Sequence, residues 1–399
     1  MKILYISTLF PKATDNSTIY TDLAEELVKA GHELTVVAAT NKQSIGKTDF
    51  SNERGCRVLR VKVGNLYNVG FLEKGISVVT LPYLLNRAIA KNLRSEHFDF
   101  ILFESPPLTL SAVVQKAKKL FKAPAFLMLK DIFPQNAVDI QILSKNSPMF
   151  HYFRMKEGHL YRVANKIGCM SLANVQYLVE HNHIEPEKIC LFPNTKRITT
   201  HFNETRVSRE KLNLPKDKTI FLFGGNMGKP QGIPFLAEAI RTLDKKSDAF
   251  FLLVGRGSEK SYLTETLKNC TNVLILDELS REEYDSLLNI CDVGIISLDH
   301  RFTIPNYPSR ILSYMDYSLP VLAVLDPATD FYKLIEDADC GYWCLSDSFT
   351  DFYHIVEKFC QNKEKRIQLG KNGRQYLEDN LGVETSVRIL EDIFGTVNE

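Results

Sequence analysis

The feature that most constrains this chain is an alternation. Apolar runs of strand length are separated by amphipathic segments of helix length, and the pattern breaks once. It opens with KILYIS (2–7). Next comes a stretch from Thr18 to Lys29 with Leu23, Leu27 and Val28 on one face, a stop at Gly31, and a second run, ELTVVAA (33–39). Strand, crossover helix and strand in this order are the unit of a parallel sheet. The runs continue as DFILFE (99–104), APAFLML (123–129), IGCMS (167–171) and KICLFP (188–193). Helices are predicted at 111–122, 148–163 and around 174–182.

After Pro193–Asn194 the polar stretch TKRITTHFNETR (195–206) interrupts the alternation and reads as a linker. The pattern then restarts with TIFLFGG (219–225), AFFLLVG (249–255), NVLILD (272–277), VGIISL (293–298) and PVLAVL (320–325). Helices are expected at 233–244, 259–268, 281–290 and 309–317, with two more between Gly370 and Phe394. The sequence therefore predicts an α/β protein of two doubly wound domains, each with about six strands. Its 399 residues agree with two domains of roughly 150 residues or more. Ligands of such sheets bind beyond the carboxyl ends of the strands, so a central cleft between the domains is the expected site.

Charge is divided unevenly. Residues 1–195 hold 24 Lys and Arg against 17 Asp and Glu, a net +7; the remainder hold 25 and 31, a net −6. The basic half is suited to an anionic partner, such as a phosphate-bearing lipid at a membrane surface. The eight cysteines include one close pair, Cys340 and Cys344, and no C-x-x-C, so buried reduced thiols and a reducing compartment are expected. No run reaches the length of a membrane span, and no signal segment is evident. The expected location is the cytoplasm, with contact at most to the inner face of the membrane.

Three segments carry candidate chemistry. GGNMGKPQG (224–232) lies between a strand and a helix, where backbone amides and Lys229 suit a diphosphate; a plain β–α turn is the alternative. IPNYPSRILSYMDYSLPVLAV (304–324) opens a helix at Pro308–Ser309, with Ser309 able to cap it and Arg310 able to reach phosphate. LMLKDIFPQNAVD (127–139) sets Asp131 at a strand's carboxyl end, and Glu104 of LFESPP ends another strand and competes for the same role. Two such carboxylates suit proton handling or the steadying of a cationic transition state; a turn-capping aspartate is the alternative. The histidines have no metal-ligand spacing. Asp337–Ala338–Asp339 is the one D-x-D, and it follows a helix rather than a strand. No metal and no cofactor are expected.

These motifs resemble the GT-B glycosyltransferases of family four, in their bacterial O-antigen, capsule and exopolysaccharide branch. The resemblance is carried by FP (10–11), LAEELVKAGHELTVV (23–37), SPPL (105–108), KDIFPQNA (130–137) and FPN (192–194). It continues through GNMGKPQG (225–232), LLVGRGSE (252–259), CDVGIISL (291–298) and PSRILSYMDYSLPVLA (308–323). It implies two Rossmann-like domains: an acceptor domain over 1–198, joined by a terminal helix at about 380–399, and a donor domain over 199–379. It implies a retaining, metal-independent, hexosyltransferase-type reaction. The sugar moves from a nucleotide diphosphate-sugar, usually UDP-linked, to a glycan or polyprenyl-diphosphate-linked acceptor. The diphosphate would meet Gly225, Asn226, Gly228, Lys229, Gln231, Ser309 and Arg310. The nucleoside would meet Gly255, Arg256, Leu276 and Ser313. Asp131 takes the position where many members place a catalytic histidine.

Departures are also visible. The paired glutamates of an E-x7-E motif are replaced by Pro305 and Ser313, ATDNST (13–18) stands where a glycine pair is usual, and Ser318 replaces the glycine before the final Pro-Val. A nucleotide-sugar epimerase on the same fold, and a non-catalytic subunit of a polysaccharide assembly complex, remain as alternatives.

Overall fold

The computed structural model describes the chain apart from residues 9, 16, 41–47, 65–70, 201–206, 244–246 and 396–399, and the side chains of 71–76. The end of the expected linker, residues 201–206, thus lies outside the described residues. Two compact units form: Met1–Arg197 together with Gly382–Glu399, and Ile198–Leu381.

The first unit is built on strands β1 (Lys2–Ser7), β2 (Glu33–Thr40), β3 (Asp49–Glu53), β4 (Cys56–Lys62), β5 (Phe100–Ser105), β6 (Ala125–Leu129), β7 (Lys166–Cys169) and β8 (Ile189–Leu191). They lie in the order β3-β4-β2-β1-β5-β6-β7-β8, parallel except for the β3–β4 hairpin. The crossovers are α1 (Ile19–Lys29), α2 (Phe71–Asn92), α3 (Leu110–Phe121), the short α4 (Gln135–Asp139), α5 (Pro148–Val163) and α6 (Leu172–Asn182). Local chemistry sets their ends. Thr18 and Thr21 close a reciprocal cap on α1, and Ser147 accepts from Phe150 N ahead of Pro148 at the start of α5.

Eight strands stand where about six were expected. β3 (DFSNE) is a polar edge strand, so it shows no apolar alternation. α2 carries Pro82 inside it, which blurs its helical period.

The second unit has six strands: β9 (Thr219–Asn226), β10 (Ala249–Arg256), β11 (Val273–Leu276), β12 (Val293–Ser297), β13 (Val321–Leu325) and β14 (Gly341–Leu345). Its helices are α7 (Ile233–Leu243), α8 (Lys260–Leu267), α9 (Arg281–Ile290), α10 (Arg310–Asp316), α11 (Phe331–Asp337), α12 (Phe349–Gln361) and α13 (Lys363–Asn380). The sheet runs β11-β10-β9-β12-β13-β14, all parallel. Counted within this unit the order is 3-2-1-4-5-6, the dinucleotide-fold order, with its reversal between β9 and β12.

The last helix, α14 (Val383–Phe394), belongs to the first unit. Val383, Val387, Leu390 and Phe394 recur at helical spacing and join the core of β1, β2 and α1. Phe394 stacks on Phe100 of β5 with ring centroids 4.2 Å apart. Thr195 and Ser386 share a hydroxyl hydrogen bond of 2.7 Å, fixing the helix start.

Truncating a buried phenylalanine costs about 3–5 kcal/mol. Phe394→Ala is therefore expected to lower the urea midpoint of the first unit's transition, followed by circular dichroism. Trp343, the single tryptophan, lies on β14 and reports the second unit separately by fluorescence.

Candidate active site

In a doubly wound sheet the loops on either side of the order reversal diverge, and ligands bind there. In the second unit these are the loops after β9 and β12. Residues Lys229–Gln231 make a 3₁₀ turn, Gly232 follows in the left-handed region at φ 55°, and α7 begins at Ile233, where the sequence places it. The turn is internally tied: Gln231 Oε1 accepts from Gly228 N and from Asn226 Nδ2, each at 3.3 Å. Asp299 N, beyond β12, donates to Pro230 O at 3.0 Å, so the two diverging loops are joined.

Glycine is required at the end of this sheet. A Cβ on Gly255 would lie 1.8 Å from Gly225 O, and one on Gly225 would lie 2.9 Å from Arg310 Nη2. The backbone at Gly225 and Asn226 is open to solvent. Arg310 reaches over it from the first residue of α10, with its guanidinium 4.7 Å from the centre of the Phe223 ring. Among the described residues neither Arg310 nor Lys229 has an ion-pair partner. A half-buried guanidinium set over bare backbone is arranged for an anion. Ser309 is exposed and makes no capping bond, contrary to the cap expected of it. Ser313 follows one turn after Arg310 and is half-buried.

The neighbouring strand ends are fastened by Lys260, which the sequence reading missed. Its ammonium donates to Gly255 O at 3.0 Å and Leu276 O at 3.1 Å, joining β10 to β11. Arg256 is exposed and pairs with Glu278 at 3.0 Å. Neither contact leaves a signal in local spacing, because each joins positions that only the sheet order brings together. Asp339 of the D-x-D is bound to Asn372 Nδ2 at 2.9 Å and Lys365 Nζ at 3.3 Å, and so serves to hold α13.

In the first unit the two candidate carboxylates part company. Glu104 lies within β5 with no exposed surface. Its Oε1 accepts from Ser7 Oγ at 2.9 Å and Thr8 N at 2.7 Å, both at the end of β1. A side chain with no open surface cannot touch an acceptor, so the catalytic reading of Glu104 is corrected to support of the turn after β1. Burial pushes its carboxyl up to about 7. Asp131 stands two residues past β6 and is half-buried, with Oδ1 accepting from Asn136 Nδ2 at 2.7 Å. Desolvation raises it to about 6. Beside it in sequence, Lys130 donates to Asn194 Oδ1 at 2.8 Å, and desolvation brings its ammonium down to about 7.

Comparison with known proteins decides the family. Residues 204–376 match the model of glycosyl transferases group 1, and residues 17–195 match that of glycosyltransferase family 4. The chain belongs to the family-four GT-B glycosyltransferases. A probable glycosyltransferase of Pseudomonas aeruginosa, WbjE, is 23% identical over 73% of this chain and 72% of its own. The putative colanic acid biosynthesis glycosyl transferase WcaI of Escherichia coli is 29% identical over 53% of each chain. Among solved structures, the sucrose-phosphate synthase of Thermosynechococcus elongatus matches with a TM-score of 0.77, 16% identity, and coverage of 100% of this chain and 99% of its own. Anabaena HepE, solved in complex with UDP and glucose, matches with a TM-score of 0.68, 15% identity, and coverage of 98% and 99%. All eight cysteines of this glycosyltransferase are free, and among the described residues no helix is long and apolar enough to cross a membrane.

The raised Glu104 carboxyl has a consequence for stability. Its folded value of about 7 lies above the ordinary 4.5, so the fold favours the neutral form. Its contribution is full below about 4.5 and is lost as pH rises through about 7, at about 1.4 kcal/mol per unit of separation. Glu104→Gln keeps the acceptor oxygen and removes the titration. The melting temperature of the variant relative to the parent is expected to rise between about pH 5 and pH 8.

Proposed function

We propose that this glycosyltransferase moves a sugar, with retention at the anomeric carbon, from a UDP-sugar to a lipid-linked glycan in surface polysaccharide synthesis. The observation that carries the reading is the unpaired Arg310 guanidinium held over open Gly225–Asn226 backbone at the order reversal of the second sheet. HepE of the same fold is solved with UDP and with UDP-glucose, which supports a uridine diphosphate donor. The name of WcaI, a putative colanic acid biosynthesis glycosyl transferase, supports a polysaccharide product. The second unit acts as the donor unit and the first as the acceptor unit, at the inner face of the membrane.

In this mechanism the bond between the anomeric carbon and the diphosphate oxygen breaks as negative charge collects on the leaving diphosphate. Arg310, Lys229 and those amides of the 225–231 turn that are not already bonded within it stabilise that charge. The acceptor hydroxyl attacks from the face the diphosphate leaves, and its proton passes to a diphosphate oxygen. Asp131, as a carboxylate, offsets charge on the oxocarbenium-like sugar or orients the acceptor. Gln231 acts by shaping the turn, since its carbonyl is spent on Gly228 and Asn226. Gly255, Arg256 and Leu276 border the nucleoside, with Ser313 offering the ribose a hydroxyl in place of the usual carboxylate.

One observation favours a second reading. Pro305 and Ser313 leave the E-x7-E positions without a carboxylate, which suits a non-catalytic subunit. Calorimetric titration with UDP, GDP and ADP separates the two. UDP binding is expected, and Arg310→Ala or Lys229→Ala is expected to slow transfer by roughly a hundredfold or more. Binding of no nucleotide would favour the non-catalytic reading.

Asp131 adds a pH signature. It is needed charged, and its carboxyl titrates at about 6, so turnover is expected to fall as pH drops through that value. Asp131→Asn is expected to lower kcat and flatten this acid limb while leaving UDP affinity unchanged.

A further inference from the structure

The first unit carries a helix layer with an unusual surface. α3 packs against α2 on one side and α5 on the other, with Lys118 Nζ bonded to Val163 O at 2.6 Å and Ser111 Oγ to His159 Nδ1 at 3.0 Å. The three helices therefore form one continuous face. Four of the five large apolar side chains most open to water among the described residues belong to this face or to the loop entering α5. They are Val79 at 70% exposure, Tyr83 at 66%, Ile142 at 63% and Met155 at 58%. Met149 and Tyr152 continue the α5 stripe at intervals of three residues. A soluble surface does not ordinarily gather its most exposed apolar groups in one place.

Among the described residues exposed on this face, charge has one sign. No Asp or Glu occurs from Ser77 to Asn92, from Leu110 to Lys122, or from Ile140 to Lys156. The same segments carry exposed Arg87, Lys91, Lys116, Lys119, Lys122 and Lys145, none with an ion-pair partner among the described residues. Between α2 and α3 runs a groove of about 360 Å³, with Tyr83, Ile89, Ala117 and Leu120 as apolar wall and Arg87 and Lys116 as cations. Unpaired cations interleaved with exposed aromatic and aliphatic groups match the headgroup layer of an anionic bilayer. There the cations meet phosphates, and the apolar tips enter the acyl boundary.

The face is also joined to the candidate acceptor site. Phe153 of α5 packs edge-on against Phe133, two residues past Asp131, with ring centroids 4.9 Å apart. We infer that the α2–α3–α5 face is a docking surface for bilayers bearing anionic headgroups, and that it brings the Asp131 loop to membrane-borne acceptors. This rests on the reading of the acceptor as lipid-linked.

Flotation of the full chain with vesicles tests it. The vesicles are phosphatidylcholine alone, or equal parts phosphatidylcholine and phosphatidylglycerol, with UDP affinity measured on the same preparation. Binding to the mixed vesicles only, lost at raised salt, is expected. Arg87→Glu with Lys116→Glu is expected to weaken it by at least about fivefold per cation. Tyr83→Ser with Met155→Ser is expected to weaken it at unchanged charge. Lys333→Glu with Lys371→Glu, on the second unit, is expected to leave it unchanged. Equal binding to both vesicle types, or variants of the face that bind as the parent does, would overturn the docking surface. UDP affinity that survives either result leaves the transferase reading standing. Vesicle binding without UDP affinity would sink that reading and spare the docking surface.

Discussion

The candidate donor site depends on how closely two backbones approach at the end of one sheet. β9 and β10 run in register to their last residues, and Gly255 sits where any Cβ would strike Gly225 O at 1.8 Å. Gly225 is in turn the place where a side chain would displace Arg310. The absence of these two Cβ atoms leaves the backbone at Gly225 and Asn226 open and lets a guanidinium lie over it. Lys260 then fixes the β10 and β11 carbonyls so that the strand ends do not fray. The cost is local: glycine gives up conformational freedom on folding, and a half-buried cation has no ion-pair partner among the described residues. In the proposed function the donor diphosphate supplies that counterion.

The two units treat the same topological position in opposite ways. In the second, the reversal between β9 and β12 is left open, with backbone and an unpaired cation facing it. In the first, the reversal between β1 and β5 is filled by the buried carboxyl of Glu104, which accepts from Thr8 N and Ser7 Oγ. The same fold therefore leaves backbone open at one reversal and fills the other with a buried carboxyl. In the first unit Asp131 and Lys130 stand past the end of β6, where each keeps a polar partner. Desolvation raises the Asp131 carboxyl and lowers the Lys130 ammonium.

Much of this was legible in sequence because burial on both faces of a parallel strand leaves a continuous apolar run. KILYIS, DFILFE and TIFLFGG announce β1, β5 and β9 directly. β3 was not legible, since DFSNE is an edge strand with a polar surface on both sides. Glu104 and Asp131 looked alike because each ends an apolar run. What separates them is a shift of a few residues: Glu104 still pairs with Met128 inside the ladder, and Asp131 has left it. The role of Gln231 as a brace, and of Lys260 as a link between strands, depends on distances that only the folded sheet defines.

The central claim is that bare glycine backbone and Arg310 together form the diphosphate site. A crystal structure of the protein with UDP tests it most directly. The account predicts the diphosphate within hydrogen-bonding distance of the Arg310 guanidinium and of amides in the 225–231 turn, with the uracil toward the ends of β10 and β11. UDP bound elsewhere, with Arg310 still lying unengaged over Phe223, would contradict it.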